Sequence, residues 1–339
     1  MKILITGGAG FIGSRCAAWL RKQGHDIVIL DNMSYGSKDN LIDDDGNDFN
    51  FILGDVRDEN LVNGIVKEQD VILHFAAIAP LPDNQKDPNN SYQNNVIGTI
   101  NVLEACRKFG TKKFVLASTS AVYENNDCDL LTEDLQVKPT LTYAASKQAA
   151  EQISLAYYHC YGLPVSIVRF FNVYGPHQDY KRKSPPLMGY ITRELILNKS
   201  PILHSDGSQR RDYVHVTDLC KLVECVINDS ASVGEIFNAC SGMTRSVKEI
   251  FDLCAERVQS DLMPIFRESD KLWSGYPELF DGCYHLKNER IKKETEKYAK
   301  GSYTKSQILL GWTPEIDFRE GVFESVDEII NSMKRETNT

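Results

Sequence analysis

Basic residues are in the minority in this chain. Its 38 lysines and arginines face 47 aspartates and glutamates, for a formal net charge of -9. That balance argues against general nucleic-acid binding, which leans on a basic footprint. It leaves room for an anionic ligand, because a local arginine pair or a helix N-terminus can hold a phosphate. No apolar run approaches the length of a bilayer span, so no membrane association is expected. The N-terminus reaches its glycines after a few apolar residues and has no small-residue cleavage pattern, so it does not read as a signal peptide. The nine cysteines (16, 106, 128, 160, 220, 225, 240, 254 and 283) include no C-x-x-C pair. Structural zinc, or any other metal, is therefore not expected. Most of them lie in apolar stretches, as buried free thiols of a reducing cytoplasm would. Neither an internal repeat nor a low-complexity tract is evident. What remains is 339 residues, 42% of them hydrophobic, enough to bury a full core as one large or two intimate domains.

Apolar periodicity organises the first half. Strands are expected at Lys2–Thr6, His25–Leu30, Asn50–Leu53, Val71–Ala76, Lys113–Ala117 and Val165–Phe170. Helices are expected at Phe11–Lys22, Glu59–Lys67, Ser91–Phe109 and Tyr143–Tyr161, the last ended by Gly162 and Pro164. This alternation predicts an α/β fold, a doubly wound parallel sheet of Rossmann type covered on both faces. The alternation stops after Gly175-Pro176. A basic, proline-rich loop at Lys181–Pro186 follows, then helices near Leu187–Leu197 and Val216–Ile227 and a strand near Glu235–Ala239. Phe266–Gly301 is polar and reads as a partly irregular insertion, periodic only in Lys287–Lys300. The expected division is a dinucleotide domain at 1–172 with a returning segment at about 212–240. A smaller C-terminal α/β substrate lobe would come from 173–211 and 241–339.

Gly7-Gly8-Ala9-Gly10-Phe11-Ile12-Gly13 stands between the first strand and the first helix. Gly7 permits a tight turn, Gly10 lets backbone approach a pyrophosphate, and Gly13 allows close helix packing. The phosphates then meet the positive end of the helix dipole. Asp31 follows 18 residues after Gly13, where a carboxylate can accept hydrogen bonds from the adenosine ribose. It would repel a 2′-phosphate, so NAD is favoured over NADP. Asp55 and Val56 are placed to meet the adenine, although an aspartate opening a helix explains Asp55 equally well. Tyr143 and Lys147, at i and i+4, share a helix face. A tyrosine ordinarily titrates near ~10, and a nearby ammonium and a positive nicotinamide should both lower that value. Thr119 supplies a hydroxyl to bridge Tyr143 and a substrate alcohol.

Those residues carry a family resemblance. The chain resembles the extended short-chain dehydrogenases/reductases of the nucleotide-sugar epimerase and dehydratase group. The similarity runs through H-F-A-A (74–77), N-V-I-G-T (95–99), S-T-S-A-V-Y (118–123), Y-A-A-S-K (143–147), R-F-F-N-V-Y-G-P (169–176), R-R-D-Y-V-H-V-T-D (210–218) and L-G-W-T-P (310–314). It implies catalysis by Tyr143, Lys147 and Thr119. It implies an NAD site formed by Gly7, Gly10, Phe11, Ile12, Gly13, Asp31, Asn32, Asp55, Val56, Ala76, Ala77 and Asn95, with Tyr143 and Lys147. The substrate would be a nucleotide-diphosphate sugar, UDP by family preference, met by Ser118, Thr119, Ser120, Asn172 and Arg211. Arg211 would take the diphosphate, since a guanidinium fork binds phosphate oxygens bidentately. The resemblance also implies a homodimer through the helices at 91–109 and 143–161.

Members of this group begin alike, oxidising the sugar at C4, and then diverge. The dehydratases follow the catalytic threonine with an acidic pair, where this chain has Ser120 and Ala121. The glutamate of the decarboxylases and the cysteine of the 3,5-epimerases are likewise missing. The resemblance therefore implies the simplest fate, return of the hydride to the opposite face, which is 4-epimerisation. One departure bears on this: the usual V-Y-G reads Val122-Tyr123-Glu124. Glu124 is either a solvated loop residue or a displaced acid or base restoring elimination. A third reading, a non-catalytic dinucleotide-binding subunit, sits poorly with an intact tyrosine, lysine and threonine. Ala299, six positions before Lys305, is expected to leave room for an N-acetylated sugar. Lys181, Arg182 and Lys183 could instead welcome a uronate carboxylate.

Overall fold

In the computed structural model, which describes residues 1–126 and 128–337, seven parallel strands make the central sheet. Asp127 in the expected dinucleotide domain and residues 338–339 of the expected lobe lie outside the described residues. Six strands of the sheet come from the first half: β1 (Lys2–Thr6), β2 (Asp26–Asp31), β3 (Asn50–Leu53), β4 (Val71–His74), β5 (Lys113–Thr119) and β6 (Val165–Phe170). Next come β7 (Asn172–Tyr174), β8 (Ile202–His204) and β9 (Arg210–His215). The seventh sheet strand is β10 (Ile236–Ala239), followed by β11 (Thr244–Ser246) and β12 (Ile265–Arg267). The sheet order is β3-β2-β1-β4-β5-β6-β10. Strand order reverses between β1 and β4, and a crevice opens there at the strands' C-terminal ends.

The strands are nearly continuous apolar runs because both faces are covered. Side chains alternate across the pleat. Ile3 and Ile5 join one core with α1 (Phe11–Lys22), while Leu4 joins the opposite core with α2 (Glu59–Val66). Short α3 (Leu81–Lys86) and α4 (Pro88–Tyr92) precede α5 (Gly98–Phe109), and α6 (Thr142–Tyr161) ends on left-handed Gly162. Residues Gln93–Ile97 form one π-helical turn joining α4 to α5.

A third core belongs to α7 (Leu187–Ile196), α9 (Val247–Val258) and α12 (Phe318–Thr337), where Met188, Ile191, Ile250, Phe251, Val322 and Val326 meet. Helix α8 (Val216–Asn228) packs against the sheet. The segment after α10 (Asn288–Thr295) departs from the expected division. Helix α11 (Thr304–Leu310) and Trp312 pack on the sheet side, and Trp312 donates its indole N–H to the carbonyl of Asp218 in α8 at 3.0 Å. Leu310 and Trp312 share the core of α1 and α8, which holds this stretch outside the lobe.

The insertion at 266–301 is more ordered than its polarity suggests. Trp273, Tyr276, Leu279 and Ile291 bury themselves against Leu141, with Leu81 alongside. The insertion thus spans from the lobe to the residues just ahead of α6.

Candidate active site

The crevice is a cavity of about 1150 Å³ running from the glycine turn to the lobe. At its dinucleotide end, Gly7 has φ +71°, and a Cβ there would sit 2.7 Å from the amide nitrogen of Ala76. A Cβ on Gly13 would lie 2.4 Å from the carbonyl oxygen of Gly7. Both positions therefore require glycine, and the close packing leaves the start of α1 open to the cavity. Gly10, Phe11, Ile12, Asn32, Val56, Ala76 and Ala77 line it. Asp31 closes β2 there, its carboxylate accepting the N–H groups of Ala9 (3.1 Å) and Met33 (2.8 Å). Burial pushes its carboxyl up, and the two amides oppose that shift.

Two expected cofactor residues are used differently. Asp55 turns to Arg57 and to the amide of Asn32 (2.9 Å), which hold its carboxylate well below the usual range. Val56 and Arg57, not Asp55, border the cavity. Asn95 is buried and accepts from the N–H of Ile78 at 2.8 Å while donating to Ser146. The π turn instead brings Asn94 to the cavity wall, with its buried Oδ1 lacking a protein partner among the described residues. Such turns recur at functional sites because the extra residue re-aims its neighbours. A paired N-N in the sequence gave the only hint of it.

At the far end of β5 and along α6 stand the catalytic candidates. Thr119, Tyr143 and Lys147 all line the cavity. Thr119 accepts the N–H of Ala121 at 3.1 Å, and its hydroxyl is the polar side chain that acts on the phenol of Tyr143. Burial raises the titration of Tyr143, with the Thr119 bond opposing. Lys147 is almost wholly buried, and burial lowers its ammonium to about 8 against the favourable charge of Glu151. Tyr143, Lys147 and Glu151 stand at successive i+4 positions of one helix face. Glu151 in turn forms a buried two-pronged ion pair with Arg169, at 2.9 and 2.7 Å.

The neighbours of Thr119 point elsewhere. Ser118, on the opposite side of the pleat, borders the cavity but donates its hydroxyl to Glu151. Ser120 begins the next turn and is not among the described lining residues. Neither hydroxyl is placed to serve a substrate as expected. Glu124 matches neither reading made of it. It is buried, and Oε2 accepts the N–H groups of Thr140 (2.8 Å) and Leu141 (3.1 Å) and pairs with Arg290 at 2.9 Å. It lies outside the cavity lining.

On the lobe side, Asn172 and Arg211 line the cavity. Asn172 donates to the carbonyl of Asp212 at 2.8 Å, and Arg211 donates to the carbonyl of Glu294 at 2.5 Å. Ala299 does not reach the cavity. It is buried among Val122, Tyr123, Phe171 and Cys240, with its backbone bridged to Arg211 and Asp212. The ordered insertion puts Leu272, Ser274, Gly275, Tyr276 and Thr295 on the wall in its place. From the basic loop, Arg182 and Lys183 line the cavity, while Lys181 pairs with Glu336. Gln178 was not foreseen: it is buried on the wall, with Nε2 donating to Val173 and Oε1 unpartnered among the described residues.

The glycine cradle, the Asp31 carboxylate on the cavity wall and the orphaned amide oxygen of Asn94 fit a dinucleotide, and NAD is the cofactor. Residues 3–240 match the model of the NAD dependent epimerase/dehydratase family. A putative UDP-glucose 4-epimerase of Methanocaldococcus jannaschii is 33% identical over 339 residues, covering 99% of this chain and 100% of the relative. The UDP-glucose 4-epimerase of Thermotoga maritima, solved with UDP-glucose, superposes with a TM-score of 0.86 at 27% identity, covering 98% of this chain and 100% of its own. A dTDP-glucose 4,6-dehydratase of Streptomyces venezuelae, solved with NAD, gives a TM-score of 0.84 at 26% identity, covering 99% and 98%. With the cavity, the Tyr143–Lys147 pair and these likenesses in agreement, the chain belongs to the NAD-dependent epimerase/dehydratase family.

Proposed function

We propose that this protein is an NAD-dependent nucleotide-sugar 4-epimerase acting on a UDP-linked hexose, N-acetylhexosamine or uronate through a transient 4-keto sugar. The observation that carries this reading is the cavity's proton-transfer inventory: Thr119, Tyr143 and Lys147 converge on it, while Ser120, Ala121 and Glu124 do not line it. The glycine turn, Asp31 and Asn94 would hold the cofactor, which would supply an acceptor and later a donor of hydride at the sugar's C4.

Tyr143 takes the proton of the 4-hydroxyl at its phenol oxygen, with Thr119 sharing the hydrogen bond and orienting both oxygens. Lys147 places an ammonium beside that oxygen and favours its anionic form. Arg211 and Asn172 keep the nucleotide-sugar in the cavity while the ketone turns its other face, and Tyr143 then returns the proton. Elimination through Glu124, the alternative outcome, lacks geometric support, since that carboxylate lies outside the cavity lining, with Oε2 held by Thr140, Leu141 and Arg290 and Oε1 buried without a hydrogen-bond partner among the described residues.

Helices α5 and α6 lie side by side on the same outer face of the sheet, a surface suited to the homodimer. All nine thiols are free, which suits a reducing cytoplasm. No helix among the described residues is long and apolar enough to cross a membrane.

The test is proton NMR of the purified protein with NAD and a panel of UDP-hexoses, UDP-N-acetylhexosamines and UDP-uronates. A C4 epimer at constant oxidation state is expected, and a keto-deoxy or unsaturated sugar would overturn the reading. Tyr143→Phe should keep NAD binding and lose at least about a hundredfold in turnover.

A further inference from the structure

Arg211 does not stand free at the cavity wall. Its guanidinium donates to the carbonyls of Glu294 (2.5 Å) and Lys297 (3.4 Å), at and just beyond the C-terminal end of α10, and lies 3.9 Å from the Glu294 carboxylate. A helix C-terminus attracts a cation. The other oxygen of Glu294 is 3.6 Å from Arg290, one turn earlier on α10. Arg290 in turn reaches two groups outside the insertion. It pairs with Glu124 at 2.9 Å, and its Nε donates to the Thr140 hydroxyl at 3.0 Å. Glu124 then accepts the N–H groups of Thr140 and Leu141. Leu141 is the residue that caps α6, and the side chain of that cap supplies no hydrogen bond of its own. Tyr143 follows two residues later.

We infer that Glu124 and Arg290 are positioning residues that tie the grip of Arg211 on the substrate to the placement of Tyr143, an inference that rests on the roles assigned above to Arg211 and Tyr143. Glu124 does for α6 what a capping side chain ordinarily does: it fixes orphan N–H groups just ahead of the first turn. Here the fixing group is itself anchored to α10, the element that aims Arg211. The chain is short, contiguous and charged, and Glu124, Arg290 and Glu294 each sit behind the cavity wall, not on it. The mutual dependence is built from charge-assisted hydrogen bonds, which hold geometry more strictly than neutral ones. A glutamate following Val122-Tyr123, where relatives of this group have glycine, acquires a purpose in this arrangement.

The experiment compares Arg290→Met, Arg290→Lys, Glu124→Gln and Arg211→Ala in the full-length protein. Calorimetry with UDP reads the grip without turnover, steady-state kinetics on the accepted UDP-sugar read catalysis, and NAD binding and thermal melting read general integrity. Arg290→Met should weaken UDP and lower kcat, each by about tenfold, with NAD affinity unchanged. Arg290→Lys should restore part of both. Glu124→Gln should lower kcat more than it raises KM.

In the Arg211→Ala background, Arg290→Met should cost no further UDP affinity while still lowering kcat. Equal further loss of UDP affinity there would overturn the coupling to Arg211. Unchanged kcat in both Glu124→Gln and Arg290→Met would overturn the coupling to Tyr143. A parallel fall in NAD affinity and melting temperature, without rescue by lysine, would reduce the network to scaffolding and overturn the inference. If Arg211→Ala itself leaves UDP binding intact, the diphosphate role fails first, and that result is separate from the kcat arm.

Discussion

Replacing Glu151 with glutamine tests the support behind the catalytic lysine. The Glu151 side chain is completely buried and binds Arg169, itself 3% exposed, through two hydrogen bonds at 2.9 and 2.7 Å. Ser118 donates to the same carboxylate. Glutamine keeps the shape but leaves a buried guanidinium without its counter-ion, and removing one partner of such a pair costs about 3–5 kcal/mol. Glu151 is also the charge that opposes the desolvation of Lys147, whose ammonium already titrates at about 8. Without it that proton leaves at lower pH. A lysine whose folded value lies below its unfolded ~10.4 costs stability while charged, and the cost is relieved as pH rises from the folded value toward the unfolded one. The variant's deficit should therefore narrow as pH approaches 8 from below but stop at the floor set by Arg169. Urea unfolding at several pH values measures this, with the midpoint falling and the slope unchanged. The alkaline limb of the pH–activity profile should move down together with it. The double variant Glu151→Leu with Arg169→Met should recover most of the stability but not the pH limb. A deficit under about 1 kcal/mol, the range of solvated surface pairs, with an unmoved alkaline limb would refute the reasoning.

Gly13→Ala places a methyl 2.4 Å from the Gly7 carbonyl oxygen. It should cost about 1–3 kcal/mol in stability and disproportionately weaken NAD binding, read by melting curves with and without NAD. Asp31→Ser removes the cavity-wall carboxylate proposed above to hold the cofactor. NAD affinity should fall roughly tenfold or more, the worth of a hydrogen bond to a charged group, while NADP affinity rises; titrations of both cofactors decide it.

Most of the sheet was legible because its strands are apolar on both faces, and such runs announce themselves without reference to their neighbours. The glycine turn was legible for a similar reason, since its constraints are local. The lobe was harder. Helix α12 carries a strongly polar sequence and buries only a stripe that includes Val322, Val326 and Ile329, and α11 has seven residues. Residues 266–301 hide their order because Trp273, Tyr276 and Ile291 find partners in Leu141 and Leu81, far away in the chain. The same nonlocality misplaced Ala299 and Asn95. Counting along a sequence assumes a constant geometry. A π turn before α5 and an ordered insertion before α11 each shift which neighbour faces the cavity.

Whether a 4-keto sugar is reduced again or loses a neighbouring group depends on how many protons the site can move. Elimination needs a separate acid and base within hydrogen-bond reach of adjacent carbons. The carboxylates among the described residues lining this cavity are Asp31 and Asp179. Asp31 is committed to the amides of Ala9 and Met33 at the dinucleotide end. Asp179 accepts the N–H groups of Lys181 and Arg182 within its own loop. His204, also on the wall, has its Nδ1 bonded to the carbonyl of Glu268, and burial holds it below its ordinary value. Glu124 is withdrawn behind Thr140. On the reading proposed above, Tyr143, with Thr119 and Lys147 beside it on the cavity wall, is the group that exchanges a proton with the 4-hydroxyl. A single mobile proton can leave a hydroxyl and return to it, and a cavity of about 1150 Å³ gives the ring space to turn between the two events. With that inventory, inversion at C4 needs one proton to leave and return, whereas elimination needs an acid and a base at adjacent carbons, and the two carboxylates on this wall are held by backbone amides.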